Sequence, residues 1–180
     1  MRRDQLEHAI RAACEILKCD EVIIVGSQSI LGTWDEIELP GRATETNEAD
    51  IMAIDPDNRR VMAMADALEG AAGEMSPFHD THGFYLDGVD ESTSILPDGW
   101  RERVVPVRNA NTNYHTGWCL DPNDLCVAKL AAFREKDSQF VAALIASRKI
   151  DARTVLARME LVPSKYSARC DRARDWLRER

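Results

Sequence analysis

The sequence lacks several features that would place it in a special class of protein. It has no apolar run near the roughly 18 residues that a membrane-spanning helix needs. Its five cysteines are odd in number and form no CxxC pair, which argues against a disulfide framework and a zinc knuckle. It also has no internal repeat, low-complexity tract or long linker. A membrane span, a disulfide-rich fold and a repeat architecture are therefore not expected.

The composition is that of an ordinary soluble globular protein. The 180 residues are 44% hydrophobic and 30% charged, and this length is about that of one domain. The first segment carries acids within its apolar face, where a secretory signal would have none. We therefore expect one compact unit in the cytoplasm.

The net charge of −8 is unevenly distributed along the chain. Residues 1–128 hold 10 Lys or Arg and 24 Asp or Glu, whereas residues 129–180 hold 13 and 7. The basic C-terminal third could face a polyanion, or its bases could lie on a solvated helical face. On the first interpretation, the polyanion meets Lys129, Arg134, Lys136, Arg148, Lys149, Arg153, Arg158, Lys165, Arg169, Arg172 and Arg174.

Hydrophobic periodicity predicts strands early in the chain and helices late. An amphipathic helix is expected over 4–18, with Asp4 as its N-cap. Strands are expected at 21–25, 50–54, 83–89 and 102–107, with a helix through 61–68. Helices are expected from Asp121, from about Asp137, over 151–161 and over 164–180. This order predicts an α+β fold with a small mixed sheet, in which residues 1–120 form the core and 121–180 a helical part packed on it.

The first candidate site is the pair Gly26 and Ser27, at the end of a predicted strand. Glycine lets the backbone approach a ligand closely, and Ser27 could offer its hydroxyl and nearby N–H groups to a phosphate. The alternative is a turn with a helix N-cap.

The second candidate site is a group of acids. Glu48 and Asp50 are two residues apart in an extended segment, so their side chains share one face. Their mutual repulsion is relieved if they bind a divalent cation such as Mg²⁺, although Glu48 could instead precede the strand and Asp50 cap it. Asp87 could complete a three-carboxylate metal site or begin an Asp-Gly turn.

A strand, Gly-Ser, a helix start, an acid-x-acid strand and a strand with a further acid together resemble the nucleotidyltransferase superfamily. The chain is more specifically similar to small bacterial domains related to the abortive-infection toxins of type IV toxin-antitoxin systems. The resemblance spans residues 22–145 and includes the segments 85–89, 95–100, 103–107, 124–130 and 134–137. It implies a Mg²⁺- or Mn²⁺-dependent enzyme that uses a nucleoside triphosphate.

The resemblance also implies roles for individual residues. Gly26 and Ser27 would cradle the triphosphate, while Glu48 and Asp50 hold the metal and Asp87 assists. Lys129 would reach the phosphates and Asp137 would support the site; alternatively, Lys129 is a solvated helix lysine and Asp137 a helix N-cap. The segment 33–47 is longer than the superfamily pattern and is expected to form a flap or extra loop, with Arg42 and Thr46 as candidates to face the site.

Several other residues could bind a metal or a nucleotide base. His79 and His82 have a spacing usable by zinc, but a polar loop is the expected interpretation because no further ligand lies nearby. Cys119 and Cys126 are expected to pack as small hydrophobes. Trp100, Trp118 and Tyr114 could stack a base or could be buried.

The sequence therefore predicts nucleotidyl transfer from a nucleoside triphosphate to an RNA 3′ end, such as that of tRNA, or to a protein hydroxyl. A toxin role would add an antitoxin protein as a partner. The alternatives are a catalytically degenerate member that binds a nucleotide or a protein, and a structural α+β protein.

Overall fold

Five strands form one mixed sheet in the computed structural model, which describes residues 1–180. They are β1 (Glu21–Ile24), β2 (Glu48–Ala53), β3 (Tyr85–Val89), β4 (Val105–Val107) and β5 (Thr116–Cys119), in the order β3-β2-β1-β5-β4. β1 is antiparallel to β2 and parallel to β5, β2 is parallel to β3, and β4 is antiparallel to β5. The predicted small mixed sheet is confirmed, and it contains one strand, β5, that was not predicted.

The helices are concentrated in the last third of the chain, which confirms the predicted α+β order. They are α1 (Arg3–Leu17), α2 (Asn58–Ala72), α3 (Pro77–His82), α4 (Pro122–Ala132), α5 (Glu135–Ala146), α6 (Ala152–Met159) and α7 (Ser167–Arg178). No helix combines the length and apolar character that crossing a membrane requires. A single hydrophobic core includes buried side chains from the sheet and from α4 to α7.

Helices α1 and α2 cover one face of the sheet at very short range. A Cβ atom placed on Gly88 of β3 would overlap the backbone of Ala65 in α2, and one placed on Gly117 of β5 would overlap Ile10 in α1. Glycine at these positions therefore lets the helices lie directly on the strands. Asp87 neighbours Gly88 and alternates with it, so its side chain points to the opposite face of the sheet.

Three local predictions need correction. Helix α1 begins at Arg3, and Asp4 lies in its first turn, where its carboxylate pairs with Arg2 at 3.0 Å. Asp87 is in the middle of β3, so the Asp-Gly turn is wrong. The segment that contains His79 is the short helix α3, capped by Ser76, and not a polar loop.

Helix α4 begins as predicted, and a buried ion pair anchors it. Asp121 accepts the backbone N–H groups of the first turn, and Pro122 is the first helical residue. Asp124 is fully buried, and its carboxylate accepts from Arg103 Nε at 2.8 Å and lies 3.8 Å from Arg158. These contacts tie α4 to the segment before β4 and to α6, and so fix the helix that carries Lys129.

Candidate active site

Three acids from two neighbouring strands converge at one edge of the sheet. Asp50 of β2 is directly opposite Asp87 of the parallel strand β3, and Glu48 lies two residues before Asp50 on the same face. One carboxylate oxygen of each residue lies within 4.8 Å of those of the other two. The strand register thus brings the three predicted metal ligands together, which sequence spacing alone could do only for Glu48 and Asp50.

The electrostatics of this cluster suit a cation. Burial raises the pKa of Asp50, with a smaller contribution from the nearby Asp87 charge, while the positive charge of Lys129 opposes the shift. Burial also raises the pKa of Asp87, as do its hydrogen bond with Glu48 and the charge of that residue. Three hard oxygen donors that repel one another form a donor set that fits Mg²⁺ or Mn²⁺.

The Gly-Ser pair lies against the acid cluster. The Val25 N–H donates to the Asp50 backbone oxygen at 3.1 Å, which extends the pairing of β1 and β2 and brings Gly26 beside the Asp50 side chain. A Cβ atom on Gly26 would overlap the Asp50 carboxylate. Ser27 follows at the start of a short 3₁₀ helix (Ser27–Gly32), and only 9% of it is exposed. The helix start expected after the Gly-Ser pair is therefore the start of this 3₁₀ helix.

Lys129 and its partners form the wall opposite the acids. The Lys129 Nζ lies 3.6 Å from the Asp137 carboxylate and 5.7 Å from the centre of the Phe140 ring. Asp137 is 2% exposed and also accepts from Arg134 Nε at 2.6 Å and Nη2 at 3.2 Å. Asp137 is the third residue of α5, where it accepts the Arg134 backbone N–H, and is therefore not the N-cap. Its position between two cations indicates that it orients them.

The segment 33–47 supplies a third wall and is more than a peripheral flap. It contains two short 3₁₀ helices, Glu36–Glu38 and Gly41–Ala43. Near its end, the Thr46 hydroxyl lies 3.1 Å from the Ser27 hydroxyl, and Gln28 Nε2 donates to the Thr46 backbone oxygen at 2.9 Å. These hydrogen bonds hold the end of the segment beside the Gly-Ser pair.

The three walls enclose a cleft of about 510 Å³ that contains every site residue predicted from the sequence. These residues are Gly26, Ser27, Glu48, Asp50, Asp87, Lys129 and Asp137. Arg42 and Thr46 also line it, as do Glu45, Thr93, Ser94 and Phe140, which were not predicted. Ser94 lies in the turn-rich loop that follows β3, seven residues after Asp87, and no periodicity or spacing in the sequence indicates that it lines the cleft.

Only part of the basic C-terminal third faces this cleft. Lys129, Arg134, Lys136 and Arg169 line it. Arg174 is instead buried, where it pairs with Asp171 at 2.9 Å. The expectation that all of these bases face a polyanion is therefore wrong, because several of them pair with acids of the protein itself. Three more bases contact the protein outside the cleft: Arg158 pairs with Asp124, Lys149 pairs with Glu38, and the Arg172 guanidinium lies over the Phe133 ring.

The remaining candidates lie outside the cleft. Trp100 and Trp118 line an apolar hollow farther along the sheet and not the cleft that holds the acids. His82 packs with other aromatic rings, and its neighbour His79 accepts the Met75 N–H at 3.1 Å. The acid cluster is the one group of potential metal ligands in the structure. The predicted packing role of Cys119 and Cys126 is confirmed, since both are completely buried.

The raised pKa values of Asp50 and Asp87 predict how the stability of the metal-free protein depends on pH. An acid with a raised folded-state pKa contributes stability below its unfolded pKa, about 3.9 for Asp, and this contribution is lost as pH rises through the folded-state value. In a chelating buffer, the fall in the free energy of unfolding above about pH 4 should be smaller in Asp50→Asn than in wild type. Urea unfolding of wild type and variant at a series of pH values measures this dependence of the free energy of unfolding on pH.

The exposed Asp66 supplies the matched control for that experiment. Asp66→Asn makes the same chemical change on the surface of α2 and should reproduce the wild-type pH dependence. An Asp50→Asn profile that also coincides with wild type would contradict the burial of the Asp50 charge.

A mixed sheet with a Gly-Ser turn and three converging carboxylates is the arrangement of the nucleotidyltransferase superfamily that the sequence resembles. The model of a family described as nucleotidyltransferase of unknown function (DUF6036) matches residues 4–178. The chain belongs to this family, and the match covers both the sheet and the C-terminal helices. No curated protein and no solved structure matches the chain significantly.

Proposed function

We propose that the protein is a metal-dependent enzyme that transfers a nucleoside monophosphate from a nucleoside triphosphate to a hydroxyl acceptor. The observation that carries this proposal is the convergence of Glu48, Asp50 and Asp87 beside Gly26 and Ser27. Nucleotidyl transfer is an in-line displacement at the α-phosphorus, so it needs negative charge to be held and neutralised at one point. A cleft that combines an acid cluster with facing cations meets that need.

The residues divide into those that hold the metal and those that hold the phosphates. Glu48, Asp50 and Asp87 would hold Mg²⁺ or Mn²⁺, which when bound supplies positive charge to the phosphate oxygens. Gly26 leaves room for the phosphates beside Asp50, and the Ser27 hydroxyl can donate to a phosphate oxygen.

Lys129 is the cation best placed to stabilise the leaving pyrophosphate. Its side chain is 18% exposed and faces the acids across the cleft, where a charge acts in partly desolvated surroundings. Asp137 is a positioning residue, because its carboxylate is already engaged by Lys129 and Arg134. Because Glu48 lies with Asp50 and Asp87, all three predicted metal ligands are in place. This supports an active enzyme over a catalytically degenerate member of the fold. The RNA acceptor, the toxin role and an antitoxin partner stay predictions from the sequence.

A nucleoside triphosphate together with Mg²⁺ or Mn²⁺ should stabilise the fold. The acids converge only in the native state, so a ligand that bridges them binds that state alone. At a hundredfold excess over Kd the gain is about 2.7 kcal/mol, which for a chain of this size raises the Tm by about 5 to 10 °C. Thermal unfolding with each of the common triphosphates, with and without metal, measures the shift.

The metal and the triphosphate should act together in that experiment. Either one alone should raise the Tm much less. Without the metal, the acids repel the phosphates, and without the triphosphate, the metal has only the three acids to bind. An unchanged Tm with every triphosphate and both metals would contradict the proposed enzyme.

A further inference from the structure

The sheet face that carries the acids continues beyond the cleft as a line of apolar side chains. Asp50, Met52 and Ile54 follow one another at every second residue along β2 and its end, so they share this face. Ile23 of β1 pairs with Met52, and Trp118 of β5 pairs with Ile23. The apolar surface therefore follows β2 away from Asp50 and extends from Met52 across β1 to β5.

Three hollows adjoin one another along this face, with volumes of about 210, 200 and 200 Å³. Val25 lines both the cleft and the first hollow, Met52 the first and the second, and Ile54 the second and the third. The cleft and the hollows thus adjoin one another in a row. We call the three hollows the lateral groove; its main apolar lining is Ile23, Met52, Ile54, Leu96, Trp100 and Trp118.

The far end of the lateral groove is suited to an apolar side chain. The third hollow is lined by six residues, of which five are apolar: Ile23, Ile54, Trp100, Val104 and Trp118. Ile54 borders it and remains 47% exposed. An apolar side chain placed there would bury part of this exposed surface, which is favourable by the area removed from water.

The charges nearer the cleft disfavour a polyanion. The first hollow contains three acids, Asp90, Glu91 and Asp98, and one base, Lys165. Glu91 is paired with Arg101, whereas the Asp90 carboxylate accepts only from uncharged groups of Ser92 and Asn58. The base of the third hollow, Arg101, is already paired with Glu91. RNA phosphates would be repelled by the carboxylates of Asp90 and Asp98, whose charge no base neutralises, whereas a basic side chain would be attracted.

We propose that the lateral groove binds an extended polypeptide segment whose side-chain hydroxyl is the acceptor at the acid cluster. This inference rests on the nucleotidyl transfer proposed above and selects protein over RNA as the acceptor. The hydroxyl oxygen forms a bond to the α-phosphorus while the bond from that phosphorus to the bridging oxygen breaks. Pyrophosphate leaves with the electron pair of the broken bond, and the hydroxyl proton passes to solvent.

The geometry of β2 fixes the spacing that the groove should recognise. Asp50 and Ile54 are separated by about 13 Å, since a strand advances about 3.3 Å per residue. An extended acceptor advances equally, so its apolar side chain lies about four residues from the hydroxyl. A basic side chain about two residues from the hydroxyl lies level with Met52, beside Asp90 and Asp98.

Short synthetic peptides with serine, threonine or tyrosine fixed at the centre, and each flanking position varied in turn, test the proposal. Fluorescence anisotropy should show tighter binding for peptides with an apolar residue about four positions from the centre and a basic residue about two positions from it. Ile54→Lys should weaken the best peptide at least about tenfold, because it places a charge in the apolar hollow. Ile37→Lys is the matched control, since Ile37 is 88% exposed and lies outside the groove.

Metal-dependent triphosphate binding, followed by the shift in Tm, separates this inference from the function on which it rests. It should be the same in wild type, Ile54→Lys and Ile37→Lys. Triphosphate binding without peptide selection, or equal loss of peptide binding in both variants, would overturn the polypeptide acceptor alone. Displacement of the peptides by single-stranded RNA in a salt-sensitive manner would assign the groove to nucleic acid. Failure of triphosphate binding in all three proteins would overturn the nucleotidyl transfer and the acceptor with it.

Discussion

Asp50→Asn is expected to abolish metal-dependent triphosphate binding while the protein stays folded. The amide keeps the size of the side chain but removes the charge that a divalent cation needs. Changes in groups that only orient metal ligands commonly weaken metal binding 10–100-fold, so loss of a central ligand should cost at least about 100-fold in affinity and in transfer. Calorimetric titration of Mn²⁺ and triphosphate into wild type and variant measures the difference.

The stability of the metal-free variant shows whether the effect is local. Burial of the Asp50 charge, with Asp87 beside it, burdens the wild-type fold, so Asp50→Asn should unfold at the wild-type temperature or above. Asp66→Asn should bind metal and triphosphate as wild type does. An Asp50→Asn protein that is stabilised but binds triphosphate undiminished would show that Asp50 is structural and that the site lies elsewhere.

Gly26→Ala is expected to disrupt the acid cluster from the turn that follows the neighbouring strand β1. The new methyl group would overlap the carboxylate and the Cβ atom of Asp50, so rotation of the Asp50 side chain alone cannot relieve the clash. Overpacking of this kind typically costs about 1 to 3 kcal/mol, and any shift moves Asp50 away from Glu48 and Asp87. We expect a lower Tm and at least about tenfold weaker metal-dependent triphosphate binding.

Gly70→Ala provides a matched control with the opposite sign. Gly70 lies inside α2, and a Cβ atom there would meet no neighbour within 4 Å. The same chemical change should therefore stabilise the protein by about 0.5 to 1 kcal/mol and leave triphosphate binding unchanged. Gly26→Ala with wild-type triphosphate binding would mean that the close approach of Gly26 to Asp50 has no part in the site.

The acids illustrate how far local sequence reasoning reaches. The two-residue period of a strand suffices to place Glu48 and Asp50 on one face. Asp87 joins them only because β3 pairs in parallel with β2 in the register that sets it opposite Asp50. That pairing depends on α2, which crosses over Gly88, and such a long-range arrangement has no local signal. The sequence therefore left a metal ligand and a turn as open alternatives for Asp87.

Two elements were missed for different reasons. The signal for α3 is present, because Ser76 and Pro77 form a good N-cap and first residue, but the polar residues that follow obscured it. β5 has only four residues, and it is a strand because it pairs with β1 on one side and β4 on the other. Its conformation is thus set by the sheet around it more than by its own composition.

The most direct test of nucleotidyl transfer compares triphosphates labelled on the α-phosphate with the same triphosphates labelled on the γ-phosphate. Wild type is incubated with each, together with Mg²⁺, total RNA and heat-inactivated soluble proteins of a cell extract, so that the extract's own kinases and polymerases transfer no label. Label from the α-phosphate should appear on a macromolecule in wild type and be absent with Asp50→Asn, while label from the γ-phosphate should appear on none. Transfer of the γ-label, equal α-labelling by Asp50→Asn, or no α-label on any acceptor would contradict nucleotidyl transfer at the acid cluster.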